Sequence, residues 1–110
     1  MAELRFCLYQ YQHLPLPELR LRWLRAEALG FDVPWNADTV VEPDTPGAIM
    51  FDGPSTLVQM AMTTSKIRVG PLVSSMYFRS PVTLAKATMT VDHLSSGRVE
   101  LRSGAVPAHP

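Results

Sequence analysis

Few residues in this chain of 110 have a type and position suited to acid–base or nucleophilic chemistry. His13 follows the first predicted strand, where an imidazole could protonate or orient a substrate because histidine titrates near neutral pH. A solvated loop histidine is the alternative, and it is the expected state of His93 and His109. Cys7 lies within a predicted strand, which favours a buried thiol over a nucleophile. The residues alone therefore leave the catalytic groups unidentified.

Composition excludes several classes of protein. Ten basic and ten acidic side chains give zero net charge, whereas nucleic-acid binders show a basic excess. A single cysteine rules out an internal disulfide framework and an all-cysteine metal site, so no metal is expected. No GxGxxG or Walker pattern is present to bind phosphate. No apolar run approaches the roughly 18 residues of a membrane span, and no signal-peptide pattern opens the chain. We expect a soluble cytoplasmic protein.

Four predicted strands alternate with three predicted helices. The strands open near Arg5, Phe31, Lys66 and Arg98, and this spacing of roughly 30 residues is typical of βαβ units. The order β-α-β-α-β-α-β predicts an α/β protein with a parallel sheet and right-handed crossovers. Periodicity does not distinguish an open sheet from part of a barrel. The acidic stretch 38–53 is predicted to be a loop, either a lid or a solvated connection.

Each predicted helix has an apolar stripe at helical spacing. The stripes are Leu19, Trp23 and Ala26 in the first helix, Leu57, Val58, Ala61 and Met62 in the second, and Leu84, Ala87, Val91 and Leu94 in the third. Side-chain oxygens of Asp52 and Ser80 are expected to cap the second and third helices. Gly30 and Gly97 are expected to end the first and third. The methionines interpreted as core filler are Met60, Met62 and Met89.

Four segments resemble luciferase-like monooxygenases in sequence, order and spacing. They are Ala26–Asp32, Thr64–Gly70, Arg79–Lys86 and Val91–Arg98. The resemblance covers roughly residues 5–106, and the stretch 67–98 is most similar to the branch that uses a 5-deazaflavin coenzyme (coenzyme F420) rather than FMN. It implies an oxidoreductase in which a deazaflavin or FMN supplies hydride or oxygen chemistry on a small-molecule substrate. The substrate itself is not implied.

The resemblance also implies which residues line the cofactor ring. Asp38 stands where the family has an acidic residue facing the ring, and its alternative is a turn residue before a polar loop. Ser74 and Ser75 match a turn that supports the ring from behind and often contains a non-proline cis peptide. Gly104 and Ala105 match a glycine-rich strand end under the cofactor.

Several positions depart from the family pattern. Thr39 replaces a histidine common in the deazaflavin branch, while Arg102 and Val106 stand where glycine is common. Pro107 occupies the position of an acidic catalytic residue of some deazaflavin dehydrogenases, so that chemistry is not implied. Arg79 is expected to be a structural ion-pair partner in preference to a contact for an anionic ligand.

The family fold is a (β/α)₈ TIM barrel, which takes about 250 residues and eight βα units. With four predicted strands, residues 1–110 are expected to form a single partial domain, the N-terminal half of such a barrel. In half a barrel, about six inward-facing side chains would stay exposed to solvent. Each would forfeit roughly 1.5–3 kcal/mol of stabilisation. This loss rivals the whole stability of a domain. We expect self-association or a complementary half-barrel. A catalytically incompetent half-barrel that only assembles or binds a partner, or a truncated gene product, is the alternative to an enzyme fragment.

Overall fold

The computed structural model describes residues 4–39, 44, 47–75, 77 and 79–104. Within these residues three helices alternate with five short strands. In chain order they are β1 (Cys7–Tyr9), α1 (Leu16–Ala28), β2 (Val33–Asn36), α2 (Gly53–Thr63), β3 (Gly70–Pro71), β4 (Ser74–Ser75), α3 (Pro81–Leu94) and β5 (Ser103–Gly104). The predicted alternation is confirmed, with the third predicted strand divided into β3 and β4.

All strand pairs are parallel. β2 lies between β1 and β3, with Tyr9 opposite Trp35 and Trp35 opposite Gly70. β4 pairs with β5, and a parallel bridge between Val69 and Val99 connects the same two stretches of chain nearer their beginnings. Strand neighbours therefore follow the order of the chain, as the α/β prediction requires.

The third predicted strand is interrupted at its centre. β3 hydrogen-bonds to β2, whereas β4 pairs on its other side with β5. The peptide bond between them, Leu72–Val73, is cis. It lies one residue before the two serines for which the family resemblance implied such a bond.

Helix α1 buries the predicted stripe. Leu19, Trp23 and Ala26 are buried in one apolar cluster with residues of α2 and α3. The helix begins next to two prolines, because a missing N–H costs nothing in the first turn. It ends before Gly30, whose φ of +83° is the left-handed conformation that glycine adopts freely. Both predicted features of this helix are confirmed.

Helix α2 is capped as predicted but buries a different set of residues. The Asp52 side chain accepts a hydrogen bond from the Ser55 amide. Leu57, Ala61 and Met60 are buried, while Val58 and Met62 are exposed. The predictions that Val58 and Met62 pack inside are therefore wrong. Each of these two residues directly follows a buried position, and one residue step turns the side chain about 100° around the helix axis.

Helix α3 packs against α2. Leu84 and Val91 are buried as predicted, but Leu94 and Met89 are about half exposed, at 49% and 55%. The predicted burial of both is wrong because they lie away from the side that meets α2. Ser80 occupies the N-cap position, yet its hydroxyl makes no capping hydrogen bond, so that expectation is wrong as well.

The sheet has one face against the helices and one face turned away from them. Alternation along a strand sends neighbouring side chains to opposite faces. Leu8, Val69 and Val99 pack against the helical cluster. The other face, here called the inner face, carries Cys7, Tyr9, Val33, Trp35 and Gly70. Val33, Trp35 and Gly70 are buried within this chain, so the expectation that inward side chains lack cover is wrong for them. Cys7 is exposed, so its predicted burial is wrong: its neighbour Leu8 meets the helices instead.

Candidate functional site

The ends of β1, β2 and β4 bring polar side chains together at the C-terminal edge of the sheet. In barrels of parallel strands this is the edge that carries the chemistry. We define the strand-end cluster as five residues: Gln12, Asp38, Asp52, Ser75 and Arg79. Gln12 and Asp38 are buried, although both side chains are polar. Buried polar groups need partners, and these partners define the geometry of the site.

Asp38, two residues after the end of β2, is 2% exposed and has donors on both carboxylate oxygens. Its Oδ2 accepts from the Ser75 amide at 2.8 Å. Arg79 binds it through two nitrogens, with Nε 2.8 Å from Oδ2 and Nη2 2.6 Å from Oδ1. Such a two-nitrogen pairing is the strong, directional form of an arginine–carboxylate contact. The backbone of β4 and the guanidinium therefore hold this carboxylate inside the protein.

Arg79 also contacts a second carboxylate. Its Nη2 lies 2.5 Å from Oδ1 of Asp52, the residue that caps α2. The hydrogen bond to Asp38 raises the pKa of Arg79, against the opposing effect of burial. Burial alone would raise the pKa of Asp52, but donors from Ser55 and Arg79 outweigh it and lower that pKa. The expectation that Arg79 is an ion-pair partner is confirmed.

Gln12 joins the end of β1 to the end of β2. Its Nε2 donates to the Ala37 carbonyl at 2.5 Å, and its Oε1 accepts from the Ala37 amide at 3.0 Å. The Phe51 amide donates to the Gln12 carbonyl and ties in the segment before α2. The side chain thus continues the hydrogen bonding between β1 and β2 beyond the ends of both strands. Nothing in the local sequence distinguishes this glutamine from a solvated one.

Gly53 lets the start of α2 approach the end of β2 closely. A Cβ at this position would lie 2.7 Å from the Ala37 carbonyl oxygen and 2.9 Å from Oδ1 of Asp38. Asn36 fixes the same junction by donating to the Gly53 carbonyl at 2.8 Å. Any larger residue would push the helix away from Asp38.

The two serines predicted to line a cofactor ring are both buried. The Ser74 hydroxyl has no hydrogen-bond partner within the described residues, and it borders a small cavity between α2 and α3. The Ser75 hydroxyl accepts from the Tyr77 amide at 3.2 Å. Two large side chains close to them in the chain are exposed, Leu72 at 41% and Tyr77 at 66%.

The remaining predicted ring residues lie on the adjacent strand or beyond the described part. Gly104 pairs with Ser75 in the parallel ladder. Ala105 lies outside the described residues, as do Val106, Pro107 and His109. The structure thus brings Asp38, Ser74, Ser75 and Gly104 to one edge of the sheet. Whether these residues contact a ring stays a prediction.

An aromatic group lies at the end of β1. The rings of Tyr9 and Tyr11 meet edge to face with centroids 5.3 Å apart. Burial raises the pKa of Tyr9 to about 12, with a further contribution from Tyr11. His13 is half-buried with its Nδ1 3.3 Å from the Tyr11 carbonyl. Thr39, beside Asp38, is also half-buried.

The part of the chain that the structure describes holds neither a cluster of metal ligands nor a membrane-spanning helix. There, no three or more histidine, cysteine, aspartate or glutamate side chains cluster as metal ligands would. No helix in the same ranges has the length and apolar character needed to cross a bilayer.

Comparison with known proteins identifies relatives for almost the whole chain. The family model described as luciferase-like monooxygenase matches residues 6–108. A coenzyme F420 dependent tetrahydromethanopterin reductase from Methanopyrus kandleri is 25% identical, with a TM-score of 0.82 over 96% of this chain. An F420-dependent secondary alcohol dehydrogenase solved with an F420–acetone adduct is 17% identical, with a TM-score of 0.85 over 94%.

A third similar structure is a type II Baeyer–Villiger monooxygenase, the oxygenating constituent of 3,6-diketocamphane monooxygenase from Pseudomonas putida, in complex with FMN. It is 14% identical, with a TM-score of 0.78 over 96% of this chain. The matches span only 28%, 32% and 31% of the three relatives, in the order given. These relatives are TIM-barrel enzymes, which confirms the predicted fold: parallel βα units of the N-terminal part of such a barrel.

Proposed function

Because the chain belongs to the luciferase-like monooxygenase family, we propose that it provides the N-terminal part of a cofactor site in a deazaflavin- or FMN-dependent oxidoreductase. The observation that carries the proposal is the strand-end cluster, since it lies at the edge where barrel enzymes place their chemistry. The F420-dependent and FMN-bound relatives give the class of cofactor. The substrate is proposed only as a small molecule.

The described residues at this edge fit a flat, largely apolar ring. Leu72 and Tyr77 expose apolar surface, while the Asp38 carboxylate is already paired with Arg79. In this proposal Ser74, Ser75, Gly104 and Ala105 border the ring, because small residues let a flat group approach the backbone, while Asp38 holds the Ser75 amide. The bound group supplies hydride or oxygen chemistry, and the protein supplies position and electrostatics.

The charge of the cluster favours contact with the ring over contact with an anionic tail. Two carboxylates, Asp38 and Asp52, share the one guanidinium of Arg79. A phosphate placed beside them would meet excess negative charge. In this barrel class, phosphate groups are usually bound by the loops after strands seven and eight. We therefore propose that the described residues recognise the ring and contribute little to binding the tail.

Titration of the purified chain with oxidised and reduced coenzyme F420, FMN and riboflavin tests the proposal. We expect saturable quenching of ligand fluorescence below high-micromolar concentrations. The dissociation constants of FMN and riboflavin should agree within about threefold, which corresponds to about 0.7 kcal/mol. Leu72→Glu should abolish binding by placing a charge on the ring surface. Met89→Glu, which places the same charge at an exposed position on α3, is the matched control. A folded chain that binds none of these ligands would overturn the proposal.

A partner for the inner face is a separate part of the proposal. Beside this face the Glu100 carboxylate lies 2.6 Å from Arg5 and 2.7 Å from Arg68, and Arg102 lies 3.9 Å away. Three cations therefore surround one anion. Two copies docked face to face would oppose like charges, which is unfavourable for association. Of the two expected occupants, we propose the complementary half-barrel, with carboxylates that face Arg68 and Arg102.

Light scattering tests this choice between occupants. The chain alone should remain monomeric at low ionic strength, where repulsion between basic groups is least screened. Arg68→Gln with Arg102→Gln should remove that repulsion and promote self-association, because the charges of Arg5 and Glu100 then cancel. A discrete wild-type dimer at low salt would contradict the proposed occupant. A monomer with full near-ultraviolet ellipticity would show that this face needs no partner to fold.

A further inference from the structure

We infer that Arg79 and Asp38 are positioning residues that shape the ring site through the backbone of Ser75. The inference rests on the proposed function and deepens it, because it concerns how the same site is held. It differs from the expectation that Asp38 itself faces the ring. Three features of the strand-end cluster carry it.

The first feature is that the Asp38 carboxylate is committed to protein donors. It is 2% exposed and is held by the Ser75 amide and two nitrogens of Arg79. Gly53 packs against the same carboxylate, since even a methyl group there would come within 2.9 Å of Oδ1. Direct contact with a ligand would require breaking this arrangement. Asp38 therefore acts on the site through the groups that it binds.

The second feature is that Arg79 connects three parts of the chain. It pairs with Asp38 after β2, with Asp52 at the start of α2, and it lies itself on the segment before α3. The planar fork of arginine is required for this, because Nε and Nη2 both face Asp38 while Nη2 also reaches Asp52. A lysine ammonium would keep the charge but lose this paired geometry.

The third feature is a continuous series of hydrogen bonds toward the exposed edge. Arg79 holds Asp38, Asp38 accepts from the Ser75 amide, and the Ser75 hydroxyl accepts from the Tyr77 amide. Tyr77 belongs to the exposed apolar surface proposed to meet the ring. A change at Arg79 should therefore alter the ring surface without removing any atom of it.

The test combines ligand titration with hydrogen exchange of the Ser75 amide followed by NMR. In Arg79→Lys we expect at least tenfold faster Ser75 exchange and at least tenfold weaker ring binding, with the charge balance retained. Val91→Ala is the matched control, because it weakens the buried apolar cluster while leaving Asp38, Arg79 and Ser75 unchanged. Its folded fraction should bind the ring with wild-type affinity. A merely structural role for Arg79 would make Arg79→Lys behave like Val91→Ala.

A double variant keeps the test decisive if a single substitution at Arg79 prevents folding. Arg79→Gln leaves a buried carboxylate unpaired, whereas the double variant Asp38→Asn with Arg79→Gln removes both charges and should fold better. The double variant should still show fast Ser75 exchange and weak ring binding. Wild-type ring affinity and slow Ser75 exchange in a folded double variant or in Arg79→Lys would overturn the positioning role. Absence of ring binding by the wild type would overturn the proposed function instead, whatever the exchange rates.

Discussion

Arg98 is predicted to be the polar residue on which the stability of this fold depends most. It follows α3 and donates five hydrogen bonds. The acceptors lie at the C-terminal ends of α2 and α3 and in the loop between α2 and β3. Its Nε reaches the Ser95 carbonyl, Nη1 the Thr64 hydroxyl and the Ile67 carbonyl, and Nη2 the Ala61 and Thr64 carbonyls, at 2.7–3.0 Å. Carbonyls at a helix C-terminus lack partners within the helix, and a cation there also interacts favourably with the helix dipole.

The size of the effect follows from these contacts. A hydrogen bond to a charged group contributes about 1.5–3 kcal/mol, but bonds from one side chain are not additive. We expect Arg98→Met to lower the free energy of unfolding by about 3–5 kcal/mol. Arg98→Lys, which can satisfy only some of the five acceptors, should lose about 2–3 kcal/mol. Arg25→Met, an exposed basic residue in the last turn of α1, should lose no more than about 1 kcal/mol.

Urea unfolding followed by tryptophan fluorescence measures these differences. Trp23 is a suitable probe because its ring is fully buried and its Nε1 donates to Gln59 at 3.0 Å. A change in midpoint at constant slope reports stability alone. If Arg98→Met fell within about 1 kcal/mol of wild type, or matched Arg25→Met, the reasoning from helix-end acceptors would be refuted.

Three further changes test other parts of the structure. Ser74→Ala should leave the midpoint of thermal unfolding unchanged or raise it, because the lost hydroxyl has no partner within the described residues; a large drop would contradict this. Gly70→Ala should lower the free energy of unfolding by about 2–3 kcal/mol, measured in urea, because its Cβ would clash with the Glu100 carbonyl and an indole ring. Burial alone would raise the pKa of Glu27, but backbone amides of residues 65–67 outweigh it and lower that pKa below 4.5. Since the unfolded chain then binds protons first, stability should fall as pH drops below about 4.5, and Glu27→Gln should flatten this acid limb in pH-dependent unfolding.

The elements of the fold were predictable because their signals are local. Leu19, Trp23 and Ala26 repeat at the helical period, and Gly30 marks the helix end at a backbone conformation that glycine favours. Strand spacing of roughly 30 residues predicted the parallel order. Each signal lies within a few residues of the element that it describes, so tertiary structure was not needed to interpret it.

Burial was predicted less well because periodicity does not say which face is covered. Met62 and Leu94 have the helical spacing of core residues, yet both are exposed, because only the sides of α2 and α3 that meet other elements are buried. Cys7 lies in an apolar strand, but the helices cover the face that carries Leu8. In each case the deciding factor is the position of another element, which the local pattern does not contain.

Local sequence patterns did not predict the contacts of the strand-end cluster, for a related reason. Asp38 and Arg79 are 41 residues apart, and Gln12 reaches Ala37 across 25. An isolated glutamine or arginine in a loop looks the same whether it is solvated or buried. Family resemblance indicated Asp38 and Arg79 as residues of interest, while Gln12 carried no signal of either kind. The geometry that joins them comes only from the folded chain.

The C-terminal edge of the sheet and the inner face differ in charge, which suggests that they bind different kinds of partner. At the C-terminal edge, the one guanidinium of Arg79 balances one of the two carboxylates of Asp38 and Asp52, and the large side chains of Leu72 and Tyr77 are exposed. Beside the inner face, Arg68 and Arg102 share Glu100 with a third arginine and retain positive charge. An apolar edge favours a flat ring, whereas excess positive charge favours a macromolecular surface with carboxylates. Because the two requirements lie at different places, ring binding and partner binding should be separable by mutation.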